Sequence, residues 1–123
     1  MQKLFTDIDN YLAEEGHYAF RAGLDTSHPI YLGHFPGHPV LPGVCTLQLV
    51  RECLNRGTGC KFRYAAIREC KFLGMVVPGE SGPLEIDILL GDRDEPATRK
   101  LTCTVAENDR KILKLTGTVR EMP

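Results

Sequence analysis

The chain has 123 residues, 42% of them apolar and 25% charged, with a formal net charge of −1. These values fit one ordinary globular domain with a modest core, and in a chain this small a second subunit often completes the binding site. The near-neutral balance gives no broad field for nucleic acid or anionic lipid, and no apolar run reaches the roughly 18 residues that span a membrane. Asp7 and Asp9 stand where a signal peptide needs an apolar stretch. The expectation is a cytoplasmic protein with neither a nucleic-acid nor a membrane partner.

The first elements form a hairpin. Strand-like runs at Leu4–Ala13 and Tyr18–Leu24 flank the turn signal Glu14-Glu15-Gly16, which leaves His17 solvated beside the turn. Residues 25–42 read as loop, because Pro29, Pro36, Pro39 and Pro42 lack the backbone donor that regular structure needs. His28, just before Pro29, belongs in an exposed turn. A helix starts near Gly43, with Pro42 at its first turn, and runs to about Arg56, where Gly57 and Gly59 end it. Val44 to Leu54 is apolar on most sides, which predicts a largely buried helix wrapped by a sheet.

Strands follow. Phe62–Val77 is long and mixed, closed by Pro78-Gly79. Leu84, Ile86, Ile88 and Leu90 alternate with Glu85 and Asp87, and Leu101, Cys103 and Val105 alternate with Thr102 and Thr104. Asn108-Asp109 is a turn, after which Leu113, Leu115 and Val119 continue the pattern. Two strands, one buried helix and about four strands make a single α+β domain over 1–123, an antiparallel sheet on one main helix. The five cysteines, Cys45, Cys53, Cys60, Cys70 and Cys103, are odd in number and include no Cys-x-x-Cys pair. They read as small reduced side chains rather than a zinc or disulfide framework.

The segment richest in chemical information is Gly33–Val44, a stiff, apolar, proline-laced loop holding Pro36, Pro39 and Pro42 with Gly33, Gly37 and Gly43. His34 is the group it would position, an imidazole able to move a proton near neutral pH. The helix start at Gly43-Val44 offers unpaired N–H groups and the positive end of a dipole. With His34 over that start, the amides would hold a thioester carbonyl while the imidazole takes the acidified α-proton. The plainer reading is a rigid loop with a structural histidine. Tyr31 and Phe35 border an acyl tunnel or pack in the core, and the same two readings apply to Leu73 and Met75. His38 follows His34 by four, but Pro36 and Pro39 forbid the helix that would align the pair, so no metal is expected, and no cofactor. Cys45 is either reactive through the helix dipole or simply packed.

The string His34-Phe35-Pro36-Gly37-x-Pro39-Val40-x-Pro42-Gly43-Val44 resembles the signature of the β-hydroxyacyl-acyl carrier protein dehydratases, the FabZ/FabA-like family. A second block agrees: Ile67-Arg68-Glu69-Cys70-Lys71-Phe72, then Val77-Pro78-Gly79-Glu80, looks like the family's strand ending in a Pro-Gly-acid turn. The resemblance covers nearly the whole chain from about Tyr18. It implies a hotdog fold, an antiparallel sheet wrapped around a central helix, with two sheets paired in a homodimer or higher homo-oligomer. It also implies acyl chains on the phosphopantetheine of acyl carrier protein, and reversible loss of water from a 3-hydroxyacyl thioester to give the trans-2-enoyl thioester. The implied catalytic histidine is His34, and the amide that holds the carbonyl is that of Gly43. On the same resemblance, Arg63, Arg68 and Lys71 either steer the acidic carrier or form a solvated face.

One position departs. The family's catalytic acid, supplied by the helix of the other subunit, falls on Gln48. An amide orients a hydroxyl but cannot deliver a proton. Where the family often carries Gln, four residues on, this chain has Glu52, so the two residue types look exchanged. The positions are about 6 Å apart along a helix axis. Glu52 is then either a relocated acid, with a pKa raised by apolar neighbours, or a helix-surface carboxylate near Arg51, Arg56 or Lys61. Three functions follow: a working dehydratase with His34 dominant and Gln48 orienting the hydroxyl; a degenerate subunit that completes a site in a heterodimer with an active paralogue; or an acyl thioesterase.

Overall fold

The computed structural model describes residues 4–27, 40–77, 82–95 and 98–123. In chain order the elements are β1 (Phe5–Glu14), β2 (His17–Leu24), α1 (Gly43–Thr58), β3 (Phe62–Phe72), β4 (Leu84–Glu95), β5 (Thr98–Glu107) and β6 (Arg110–Glu121). All strand pairs are antiparallel, and the sheet order is β1-β2-β4-β5-β6-β3. The two-strand, one-helix, four-strand order expected from the pattern is the one formed. What the pattern leaves open is the path of β3, which leaves the helix and crosses to the far edge beside β6.

Alternation decides which face is buried. Leu84, Ile86, Ile88 and Leu90 of β4 and Leu101, Cys103 and Val105 of β5 point inward, while Thr102, Thr104 and Leu89 are exposed. The inward set meets Cys45, Leu49, Val50, Cys53 and Leu54 of α1, with Phe20 and Phe62 closing the cluster. Each such Leu, Ile or Phe removed from water stabilises the fold by about 1.5–3 kcal/mol.

The helix is not buried all round. One stripe is covered, while Val44, Gln48, Arg51, Glu52 and Arg56 are exposed. The apolar stretch misleads because Val44 sits at the open start and the polar residues recur at helical spacing, which leaves one face to solvent. The helix also outlasts the expected end. Gly57 lies inside the last turn, where a Cβ would come within 2.8 Å of Tyr18 Cδ1. Gly59 is the stop, since its φ of 74° is left-handed and its N–H donates to the Asn55 carbonyl. Strand β3 ends earlier than the apolar run suggested, at Phe72 rather than Val77. From there the chain turns toward the helix start: the Leu73 N–H donates to the Ile112 carbonyl, and the Val76 carbonyl accepts from the Leu41 N–H, both at 2.8 Å. His17 is not freely solvated either; its Nε2 lies 2.7 Å from Asp87 Oδ1, across the β2–β4 pairing.

Candidate functional site

The helix start is built to expose its amides. Pro42 occupies the N-cap in an extended conformation, φ −60° and ψ 139°, and no side chain caps the turn. No acidic residue sits in the first turn, so the positive end of the dipole is not neutralised locally. The Cys45 N–H is taken by the Pro42 carbonyl at 3.0 Å. Gly43 and Val44 are therefore the positions whose N–H groups face outward, as orphan donors of a helix start do.

An apolar collar surrounds those donors. Phe72 packs so closely on Gly43 that a Cβ there would lie 2.6 Å from the ring Cζ and 2.7 Å from Cε1. Glycine is required at position 43 by this approach, not by its φ. Because the Leu41 N–H is held by the Val76 carbonyl, the 72–76 segment runs beside the helix start. Val44, Phe72, Leu73 and Met75 are all more than half exposed there. Donors set in an apolar surround bind a carbonyl oxygen more strongly than the same donors in water.

A second support comes from β3. The Tyr64 hydroxyl donates to the Leu47 carbonyl at 2.6 Å, tying the edge strand to the residue before Gln48. Burial, with Cys103 nearby, pushes the Tyr64 phenol well above its ordinary range, so it stays a donor. Burial likewise raises the Cys45 thiol. This overrides the activation that the helix dipole offers, and Cys45 is a packed side chain 4% exposed.

Gln48 and Glu52 share the open face of α1. Both line a groove of about 740 Å³ with Arg51, Asn55, Arg56 and Lys61. Glu52 Oε1 accepts from Arg56 Nη2 at 2.8 Å, and both side chains are 47% exposed. This is the surface ion pair, not a carboxylate enclosed by apolar neighbours. His34, Phe35, Tyr31, His28 and His38 lie outside the described residues, as does the Pro78-Gly79-Glu80 turn. The helix-borne half of the expected site is thus assembled as one unit: Gly43 and Val44 at the start, Gln48 and Glu52 on the outward face. Phe72 and Tyr64 escaped the sequence reading. Phe72 stood in the second motif block without a role, and Tyr64 had only its alternation with Phe62 to mark it as inward-facing.

Residues 10–113 match the ApeI-like family, described as ApeI dehydratase. The chain belongs to the ApeI-like dehydratase family. Among curated relatives of this ApeI-like chain, the 3-hydroxyacyl-[acyl-carrier-protein] dehydratase FabZ of Lawsonia intracellularis is 30% identical over 96 residues, covering 70% of this chain and 61% of that protein. The FabZ of Latilactobacillus sakei is 33% identical over 92 residues, covering 68% and 64%. The chain therefore matches less than two-thirds of the length of these relatives. Among solved structures, the dehydratase heterocomplex ApeI:P from Xenorhabdus doucetiae aligns with a TM-score of 0.73 at 19% identity, covering 98% of this chain and 99% of that one. A hypothetical thioesterase with coenzyme A from Streptococcus pneumoniae aligns at 0.69 and 12% identity, covering 97% and 88%. At these identities the likeness is one of fold. It establishes the hotdog arrangement for the ApeI-like chain: a six-stranded antiparallel sheet with one helix. Among the described residues no helix is long and apolar enough to cross a membrane.

Proposed function

We propose that the chain dehydrates 3-hydroxyacyl thioesters carried on acyl carrier protein to the trans-2-enoyl thioesters. The observation that carries this reading is the uncapped helix start at Gly43, ringed by Phe72, Val44 and Met75. In the proposed reaction the Gly43 amide holds the thioester carbonyl, which acidifies the C2 proton. His34 removes that proton as the C2–H bond breaks. The electron pair forms the C2=C3 double bond, and the C3–O bond breaks. The departing hydroxyl needs a proton to leave as water. Gln48 orients it, and the imidazolium of His34 is the donor available within the chain. Tyr31 and Phe35 line the acyl path. The carrier-bound substrate is inferred from the names of the FabZ relatives.

The test is a steady-state assay of the purified chain with a 3-hydroxyacyl carrier-protein thioester, following enoyl formation. His34→Ala should lower kcat by about 10²–10⁴ with the fold intact. Absence of turnover in the wild type, or release of free thiol in place of the enoyl product, would sink this reading, the second outcome in favour of a thioesterase.

One observation favours a second reading. Glu52 is engaged by Arg56 on an exposed face, so the open helix face offers no enclosed acid. In this reading the chain lends His34 and Gly43 to a site whose acid comes from a paralogous subunit. The heterocomplex nature of the Xenorhabdus neighbour supports it. Dehydration that appears only on adding a second hotdog subunit would separate the two.

A further inference from the structure

Strand β3 closes one edge of the sheet. Its exposed residues are Ala65, Ala66 and Ile67 in the middle, with Arg63 toward one end and Arg68, Lys71 and Phe72 toward the other. The one acid on the strand, Glu69, is already drawn to Lys71 at 3.8 Å. Behind β3 the charges reinforce: Arg63 pairs in register with Arg120, and Lys71 with Lys114. Like charges directly opposite weaken a strand pair, and one ladder carries such a pair at each end. Arg68, Lys100 and Lys114 also border a groove of about 920 Å³ on this part of the sheet. The whole chain has a net charge of −1, so the positive potential is a local property of this edge.

From these charges we propose that the β3 edge is made for a subunit of the same fold but different sequence, whose facing edge strand is acidic, in preference to a second copy of this chain. The proposal deepens the second reading above by naming the partner's chemistry. An antiparallel self-pairing centred on Ile67 sets Arg63 of each copy against Lys71 of the other. Centred on Arg68, it sets the two Arg68 side chains face to face. Centred on Ala66, it brings Arg63 to Glu69 but Lys61 to Lys71. Each register leaves like charges facing across the dyad, while an acidic strand satisfies the same positions and keeps the apolar centre for contact. The other edge, β1, is acidic through Asp7, Asp9 and Glu14, but its pairing with β2 is broken by two register shifts. Such irregularities blunt an edge against strand addition.

The test reads assembly and needs no substrate, so its failure is distinct from failure of the dehydratase reading. Self-association of the wild type is measured by sedimentation velocity from about 20 mM to about 500 mM salt, a range over which the screening length shrinks severalfold. The expected result is a homodimer that is weak at low salt and strengthens at least about fivefold as salt rises, because repulsion is screened. Wild type is then mixed with an R63E/R68E/K71E variant as a surrogate acidic edge. The mixed dimer should exceed the statistical proportion by about tenfold or more at low salt, and this excess should fade as salt is added. If the triple variant does not fold by circular dichroism, R63E alone serves, with a smaller excess expected. A wild-type homodimer that is tight at low salt and loosened or unchanged by added salt would overturn the proposal. A statistical mixture would do so too, as would wild-type assemblies growing beyond the dimer, which would make β1 of another copy the occupant.

Discussion

The two sides of helix α1 carry opposite assignments, and neighbouring residues show it. Leu49 is fully buried against the sheet; Gln48, one position earlier, lies on the open face with Glu52. Stability is invested on the Leu49 side, where Val50, Cys53 and Leu54 share the core. The Gln48 side touches little of the fold. A catalytic acid carried there can therefore be exchanged for an amide with almost no structural consequence, and position 48 is free to differ from the FabZ-like pattern while the fold is kept.

The strongest way to break this contrast is to truncate both neighbours. Leu49→Ala should destabilise the protein by about 2–5 kcal/mol in chemical unfolding. Gln48→Glu should stay within about 0.5 kcal/mol; if the site needs only a proton donor, the same change raises dehydration by about 10²-fold or more. Equal stability losses would show that the open face is covered after all. Next comes the helix start: Gly43→Val drives a side chain into Phe72 and should cost about 1–3 kcal/mol, with KM rising more than the stability loss explains. Tyr64→Phe removes one hydrogen bond to Leu47 and should cost about 0.5–1.5 kcal/mol. Removing the ion pair with Arg56→Ala should change stability by less than about 0.5 kcal/mol.

Alkaline pH sharpens the same contrast from the buried side. Burial, and then the nearby Glu52, push the Cys53 thiol from 9.0 up to about 12. A raised native pKa means that the unfolded chain loses its proton first. The associated stability is fully present below pH 9 and is lost progressively toward pH 12. Cys103 and Tyr64 are shifted the same way by burial. The urea midpoint should fall above pH 9, and Cys53→Ala should make that fall shallower; a midpoint flat from pH 8 to pH 11 would contradict the burial of these groups.

Much of the fold was legible because period and punctuation are local. The hairpin at Glu14–Gly16, the helix start behind Pro42 and the alternation of β4 and β5 all follow from residues within a few positions of one another. The end of β3 was not, because Leu73, Met75, Val76 and Val77 read as strand. Their partner, residue 41, is far away in sequence, and the turn toward the helix start is visible only in the Leu41–Val76 bond. The exposure of Gln48 and Glu52 follows from helical spacing alone, but the apolar residues between them hid it. The role of Phe72 beside Gly43 is a tertiary contact with no spacing to announce it. His34, on which the proposed proton transfer turns, is known from the sequence signature and lies outside the described residues.

The Tyr64–Leu47 hydrogen bond has a mechanical consequence. Its donor stands on the strand at the sheet margin and its acceptor on the helix backbone, one residue from Gln48. Any neighbour that reseats β3 by a fraction of an ångström pulls on that carbonyl directly, without a relay through the core. Assembly and alignment of the reactive helix are joined by a single short link.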